Sequence, residues 1–343
     1  MSKKLKKIIS VRTKPINLEI DEEHLFSHEY EKIIPKSRVK LFKNVNISES
    51  KLKKFKHFRI LIKQQRMNPI LFKTKLIFFL KDFIKSFNSG LTKEIVFIEK
   101  GLWAIDSRSN QYFHWMTDAM QRIFNAEEYL TQYPLILTSN FKDKSFINEA
   151  IEMLGIDTIY IDHQNHYKIN KLLMSERVSP AGNYRKEIIN NIALKFVNLQ
   201  SQTEINYDYE RVWISRQNAG RRLISNFSEV KTILKKYKFK IIEFENYSFA
   251  EQIRIGMNCK VLGGVHGAGL TNMMFMSKGS KILEIRGKGD SSNNCFFSLA
   301  SDLEMKYYYF LSDTENQNYY STNHIIDIHL FDRFINNSLK TRT

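Results

Sequence analysis

An α/β fold in two successive domains is predicted by three features of this 343-residue chain. Short apolar runs of about four to six residues alternate with amphipathic helical stretches, the pattern of parallel sheets covered by helices. Gly263, Gly264, Gly267 and Gly269 fall within seven residues, between an apolar strand pattern at 260–265 and a helix-forming run at 270–276. Hydrophobic residues make up 43 % of the chain, enough for buried cores and too many for a disordered protein.

The elements follow in order. Residues 1–50 read as irregular and charged, with Pro15 and Pro35 as breakers. Residues 51–88 are basic and helical in part. A strand pattern at 94–99 continues at 101–105. At 110–124, Phe113, Met116, Met120 and Phe124 recur at helical spacing. Strands are predicted at 133–138, 158–161 and 171–175, and helices at 145–154, closed by Gly155, and at 186–199. The polar, non-periodic stretch 200–209 marks a boundary. Beyond it, strands at 211–215, 240–244 and 306–310 and helices at 225–237, 249–257 and 295–303 surround a strand–turn–helix–strand unit at 258–285. A polar loop at 311–322 and a helix at 325–335 end the chain. This gives an extension at 1–93, an α/β domain at 94–204, a second at 205–311, and a terminal loop and helix at 312–343.

Charge is spread unevenly. The formal net charge is +17, and between residues 51 and 90 eleven Lys and Arg face one acid, Asp82. Phe55, Phe58 and the apolar runs 60–62, 70–72 and 76–80 interleave with them. A solvated face accounts for such a run, and so does a basic amphipathic segment at 51–87 lying on an anionic membrane surface. None of the usual nucleic-acid motifs accompanies it, so no nucleic-acid partner is expected. No apolar core follows the basic start, and no uncharged apolar window reaches the ~18 residues of a membrane span. The expectation is a cytoplasmic chain, peripheral at the inner face of the cell membrane. Cys259 and Cys295 lack a metal-ligand spacing and suit two buried free thiols.

Three groups of residues carry chemistry. His114 and Asp118 are four apart on a helical pattern, hence on one face. A carboxylate beside an imidazole fixes its tautomer, and either group can take a proton from a hydroxyl. The same pair can also simply brace a helix. The glycine turn brings backbone N–H groups close to an anion at a helix N-terminus. Arg216, Arg221 and Arg222 follow a strand, and a guanidinium bonds two phosphate oxygens at once; a surface basic loop is the alternative. Asp162, His163 and His166 also follow a strand but lack the further ligands of a metal site. No Asp-x-Asp pair occurs, Asp208-Tyr209-Glu210 coming nearest. Arginines and a helix N-terminus then stand in for a metal at a diphosphate, and neither metal nor cofactor is expected. P-loop, GxSxG and HExxH motifs are absent, and the glycines do not fit GxGxxG with its downstream acid.

Residues 212–310 resemble the C-terminal half of glycosyltransferase family 61. The resemblance rests on WISRQNAGRR (213–222), Asn226 with Glu229-Val230, SFAEQI (248–253), GGVHGAGLTNMMF (263–275) and ILEI (282–285). Upstream, QYFHWMTDAMQRI (111–123) resembles that family's aromatic–His–Trp–x–x–Asp helix. The resemblance implies a GT-B-like fold of two Rossmann-type α/β domains facing across a cleft, acceptor side at 94–204 and donor side at 205–311. It implies a nucleotide-sugar donor, inversion, no obligatory metal, and a glycan or lipid-linked acceptor in bacterial capsule or lipopolysaccharide synthesis. Arg216 and one of Arg221 or Arg222 would meet the donor diphosphate. His266, Gly267, Ala268, Gly269, Thr271 and Asn272 would line its phosphates and sugar, with Glu284 in the nucleotide pocket. Asp118 is the expected base and His114 its helper, the reverse staying open. Cys259 and Ser277-Lys278 depart from the small residue and the more proline-rich pair expected there. The competing reading is a non-catalytic polyanion- or nucleic-acid-binding α/β protein, supported by the charge.

Overall fold

A computed structural model describes residues 8–35, 37–47, 94–201, 209–316, 319 and 321–340. The basic segment 51–87 lies outside the described residues. In chain order the strands and helices are β1 (Ile8–Val11), β2 (Glu31–Ile34), β3 (Val39–Ile47), β4 (Ile95–Trp103), the helix α1 (Tyr112–His114, Trp115–Ala119 and Met120–Phe124 in succession), β5 (Leu135–Thr138), α2 (Ser145–Leu154), β6 (Thr158–Ile161), β7 (His166–Ser175) and α3 (Lys186–Gln200). There follow β8 (Arg211–Ile214), α4 (Phe227–Lys236), β9 (Lys240–Ile242), α5 (Phe249–Asn258), β10 (Val261–Val265), β11 (Lys281–Gly287), α6 (Cys295–Asp302), β12 (Lys306–Thr314), β13 (His324–Ile325) and α7 (Ile328–Lys340).

The chain divides into two compact units. The larger takes Met1–Ser37, Gln111–Asn125 and Arg177–Thr343; the smaller takes Arg38–Asn110 and Ala126–Glu176. This division differs from the expected boundary at 204/205. Helix α1 belongs to the larger unit, although the strands on either side of it in sequence build the smaller one. The first 50 residues also differ from the irregular stretch expected. β1 pairs with β2, and Leu25 and Phe26 are buried. β3 runs antiparallel along β7 through eight residue pairs. The alternation in this region is weak because β3 buries little of either face, so periodicity gave no signal.

The smaller unit holds a five-stranded sheet in the order β3-β7-β4-β5-β6. All its pairs but β3–β7 are parallel. The runs at 94–99 and 101–105 merge into the single strand β4. Asp162, after β6, accepts at Oδ1 from the backbone N–H groups of Gln164 and Asn165, which makes it a turn residue.

The larger unit is built on a sheet in the order β13-β12-β11-β10-β8-β9, parallel except for β12–β13. From β8 the chain moves one place outward to β9, then returns across β8 to lay down β10, β11 and β12. The strand order therefore reverses between β8 and β10. Side chains alternate across a strand, so Trp213, Val261, Leu283 and Tyr308 share one face. They form a core with Val230 and Leu234 of α4 and Phe331 and Ile335 of α7. Gly263 has no side chain because Trp213 lies on it; an added Cβ would sit 2.6 Å from the indole ring. The opposite face presents Ile214, Glu284 and Tyr307, covered in part by Phe26 and Phe297, whose rings stand 6.2 and 5.5 Å from Tyr307.

After β10, residues expected to form an α-helix make a 3₁₀ helix, Ala268–Phe275. The local cause is Asn272. Its Nδ2 donates to the Gly269 carbonyl, which an α-helix would offer to the backbone of residue 273. Gly256 of α5 allows the close approach of this segment; a Cβ there would lie 2.7 Å from the Cβ of Phe275.

A buried carboxyl joins β1 to α6. Ser10 Oγ donates to Asp302 Oδ1 at 3.1 Å, while Oδ2 has no hydrogen-bond partner and the residue is 2 % exposed. Burial raises its pKa to about 6, against the opposing pull of Arg12. A raised carboxyl means that the fold favours the protonated form. The associated stability is fully present below about pH 4 and is lost as pH rises through about 6, on the order of 2–3 kcal/mol. Asp302→Asn should therefore flatten the fall in unfolding free energy between about pH 4 and 6.5, measured by urea titration. An undiminished fall in the variant would assign the pH dependence to another group.

Candidate active site

Ligands of open parallel sheets bind beyond the carboxyl ends of the strands where strand order reverses. Here that position lies between β8 and β10. The loop after β8 carries Arg216, Arg221 and Arg222, and the turn after β10 carries His266 and Gly267. The two loops touch. A Cβ added at Gly267 would lie 2.3 Å from Arg216 Nη1 and 3.1 Å from Cζ. Gly267 is thus glycine because a guanidinium occupies the space of its side chain; its backbone is extended, φ 176°, and asks for no special residue.

The three arginines crowd one another. Arg216 Nη2 donates to the Arg221 carbonyl at 3.3 Å. Burial and then the charge of Arg221 depress the Arg216 guanidinium. Burial, followed by Arg216 and Arg221, holds Arg222 down to about 10. The Nε atoms of Arg216 and Arg222 are buried without hydrogen-bond partners, and Arg222 has a left-handed backbone, φ 57°. Among the described residues, no acid forms an ion pair with any of the three. Guanidinium groups in this condition, Arg216 and Arg222 half-buried and Arg221 exposed, remain charged at neutral pH, and an anion relieves their mutual repulsion. A diphosphate matches their number and fork geometry.

Beneath the turn lies a second arrangement. His266 Nδ1–H donates to Glu284 Oε1 at 2.5 Å, and Tyr307 Oη donates to Glu284 Oε2. Glu284 is 0 % exposed, so it reaches a ligand only through His266. A direct place in a nucleotide pocket, as expected from sequence, is not open to it. Thr271 and Asn272, each 1 % exposed, are likewise below the surface. Asn272 is held by Gln252, Gly269 and the hydroxyl of Tyr112, which donates to its Oδ1 at 2.6 Å. Of the turn residues, Ala268 is exposed and Gly269 half-buried. His266 Nε2 points toward Cys295 Sγ, 4.0 Å away at the start of α6, and Phe296 stands edge-on to its ring at 4.9 Å.

The third arrangement is on α1. Its middle section, Trp115–Ala119, is π-helical, a local widening found often at functional sites. Side chains tend the carbonyls of this section: Thr117 Oγ1 donates to the Phe113 carbonyl and Gln121 Nε2 to that of Thr117. His114 Nδ1–H donates to Asp118 Oδ2 at 2.7 Å, and Arg177 Nη2 stands 3.4 Å from the same oxygen. Asp118 is 3 % exposed, and its Oδ1 is buried with no partner. The His114 side chain keeps 14 % of its surface exposed. The carboxylate is thus the more deeply buried of the two and the imidazole the more exposed. This favours the reverse of the expected roles. Tyr112 ties the start of α1 to the 3₁₀ helix, and Phe113 packs on both His114 and Phe296, at 5.1 and 5.4 Å between ring centres. Phe113 and Phe296 thus stand between His114 and His266.

All twelve sequence-predicted site residues fall in the larger unit. Tyr307, Arg177 and Cys295 were not singled out. A lone acid in the apolar strand ILEI signalled that Glu284 needed a buried partner, but its identity depends on the β11–β12 register, which pairs Ile282 with Tyr307 and Glu284 with Tyr309. Among the described residues, no three His, Cys, Asp or Glu gather into a metal-binding set, and no helix is long and apolar enough to cross a membrane.

A family model described as Glycosyltransferase 61 matches residues 112–283, from α1 into β11. Similar curated proteins include the EGF domain-specific O-linked N-acetylglucosamine transferase of Bos taurus, 30 % identical over 95 residues that cover 26 % of this chain and 18 % of that protein. Those of Drosophila melanogaster and Gallus gallus are 32 % identical over 91 residues and 31 % over 93, covering 26 % and 27 % of this chain and 17 % and 16 % of theirs. The match thus spans less than a fifth of each of these relatives.

The contact at Gly267 gives a direct test. In Gly267→Ala the new methyl displaces the Arg216 guanidinium, a flexible side-chain end, so unfolding free energy should change by less than about 1 kcal/mol. Affinity for pyrophosphate should fall about tenfold, the worth of one charge-assisted hydrogen bond. Unchanged pyrophosphate affinity, measured by calorimetry, would remove Arg216 from the anion site.

Proposed function

The chain belongs to glycosyltransferase family 61, and from that premise we propose that it moves a sugar from a nucleotide-sugar donor to an acceptor hydroxyl with inversion and without an obligatory metal ion. The carrying observation is the arginine loop laid on Gly267 where the strand order reverses. It fits the diphosphate of such a donor, with guanidinium charge in place of a cation. The acceptor oxygen attacks the anomeric carbon as the carbon–oxygen bond to the diphosphate breaks. The electron pair leaves with the nucleoside diphosphate, whose growing charge Arg216, Arg222 and His266 stabilise. The acceptor's proton passes to His114 Nε2, while Asp118 holds the opposite nitrogen and favours the imidazolium that forms.

The GT-B arrangement of the two α/β units is part of this proposal, as is the setting. We take the acceptor to be a glycan or lipid-linked hydroxyl in bacterial surface polysaccharide synthesis at the inner membrane face. The names of the relatives put N-acetylglucosamine donors first among those to try. Thermal shift against nucleoside diphosphates and nucleotide sugars, with and without EDTA, tests the donor half. Stabilisation by one base, unaffected by EDTA, is expected. No response to any of them, with salt-sensitive retention on DNA, would favour a polyanion-binding protein instead.

The roles on α1 separate kinetically. His114→Ala should lower kcat by about 10²–10⁴ with donor KM little changed. Asp118→Asn should lower kcat less, because the imidazole keeps its place and loses only its orienting charge. If Asp118→Asn proved the more damaging at every pH, the carboxylate would be the base.

A further inference from the structure

His324 lies on the short strand β13 and is assigned no role by the motifs. It is 3 % exposed. Ser312 Oγ stands 2.7 Å from its Nδ1 and 3.1 Å from the Arg286 carbonyl. A serine has one hydroxyl proton. In the tautomer in which Ser312 donates to that carbonyl, Nδ1–H donates to Ser312 Oγ. Nε2 is then a bare lone pair, and it is buried without any hydrogen-bond partner. Burial is the first cause that pushes this imidazole down to about 4; Arg222, His266 and Arg216 add to the effect in that order, and Asp290 opposes it. β13 is also stitched to the arginine loop. His324 N–H donates to the Leu223 carbonyl at 2.8 Å and the Ser225 N–H to the His324 carbonyl at 2.9 Å. Next to Leu223 is Arg222, with a left-handed backbone and an unpartnered, buried Nε.

Two complementary groups, a lone pair and an N–H, are thus unsatisfied on segments joined by backbone hydrogen bonds. We propose that His324 is a positioning residue for Arg222: its Nε2 accepts from the Arg222 guanidinium when that group turns toward a bound diphosphate, so that anion binding and this internal hydrogen bond form together. The inference rests on the donor-site reading above. A neutral acceptor suits the task. A carboxylate at this position would form a permanent ion pair and compete with the phosphate, whereas imidazole orients the guanidinium without neutralising it.

Calorimetric binding of pyrophosphate to the full chain tests this. His324→Phe keeps a ring but no acceptor and should weaken binding about tenfold. His324→Gln places an amide oxygen near the Nε2 position and should stay within about threefold of the wild type. Arg222→Lys should weaken binding as well, and adding His324→Phe to it should cost nothing further, because the two act through one contact. Equal losses in the Phe and Gln variants, or additive losses in the double variant, would overturn the proposal and leave His324 a packing residue. Should His324→Phe fail to fold, His324→Asn, whose amide reaches only the Ser312 side, replaces it with the same expected loss. Wild-type binding with no His324 effect sinks this inference alone; no wild-type binding sinks the donor-site reading with it.

Discussion

Everything at the site depends on how closely β8 approaches β10 and the turn that follows. Ile214, the last residue of β8, packs on backbone. A Cβ at Gly264 would come within 3.1 Å of its own Cβ, and one at Gly269 within 2.9 Å of its Cγ2. With Ile214 pinned between these glycines, the chain two residues on delivers the Arg216 guanidinium into the space above Gly267. The glycine cluster is therefore a packing device before it is an anion device. Removal of side chains along one row lets two loops that leave parallel strands meet instead of diverging. The sheet order supplies the position, and the glycines supply the proximity.

Two histidine–carboxylate pairs share this frame, and both follow one plan. The acid is buried and the imidazole partly exposed: Asp118 behind His114, Glu284 behind His266. In a low-dielectric setting a carboxylate on Nδ1 fixes the tautomer and supports a positive charge on the ring. The plan suits two tasks in one displacement, proton acceptance at the attacking oxygen and charge stabilisation at the leaving one. Phe113 and Phe296 lie between the two imidazoles. They link the two imidazoles through a run of edge-on ring contacts.

Much of this was legible in the sequence. The α/β alternation, the strand–turn–helix–strand unit, the arginine loop and the His114–Asp118 spacing each have a local signature, and the structure brings the last three into one unit. Depth was not legible. Thr271 and Asn272 belong to the same motif as the partly exposed His266, yet they and Glu284 lie beneath the surface, because a 3₁₀ helix and a strand register decide which side chains face outward. The order of His114 and Asp118 was open for the same reason: spacing puts two residues on one face without saying which is in front. His324 and Tyr307 were invisible because their roles depend on pairings between strands far apart in sequence.

The position of α1 carries the last step. The chain leaves the larger unit after Ser37, builds two strands of the smaller, returns for Gln111–Asn125 alone, and leaves again until Arg177. Such an excursion lengthens loops and slows assembly through long-range contacts, so its persistence needs a reason. The segment brings back Tyr112, bonded to Asn272, and His114 with Asp118, next to Arg177 at the following return. Buried polar atoms without partners occur along the same path, at Asp118 Oδ1, Thr271 Oγ1, the Nε atoms of Arg216 and Arg222, and His324 Nε2, as they also do elsewhere in the unit, at Trp213 Nε1, Tyr308 Oη and Asp302 Oδ2. Each one costs stability that an apolar replacement would restore. Those on Arg216 and Arg222 adjoin the turn at Gly267, where the proposed diphosphate would supply the missing acceptors.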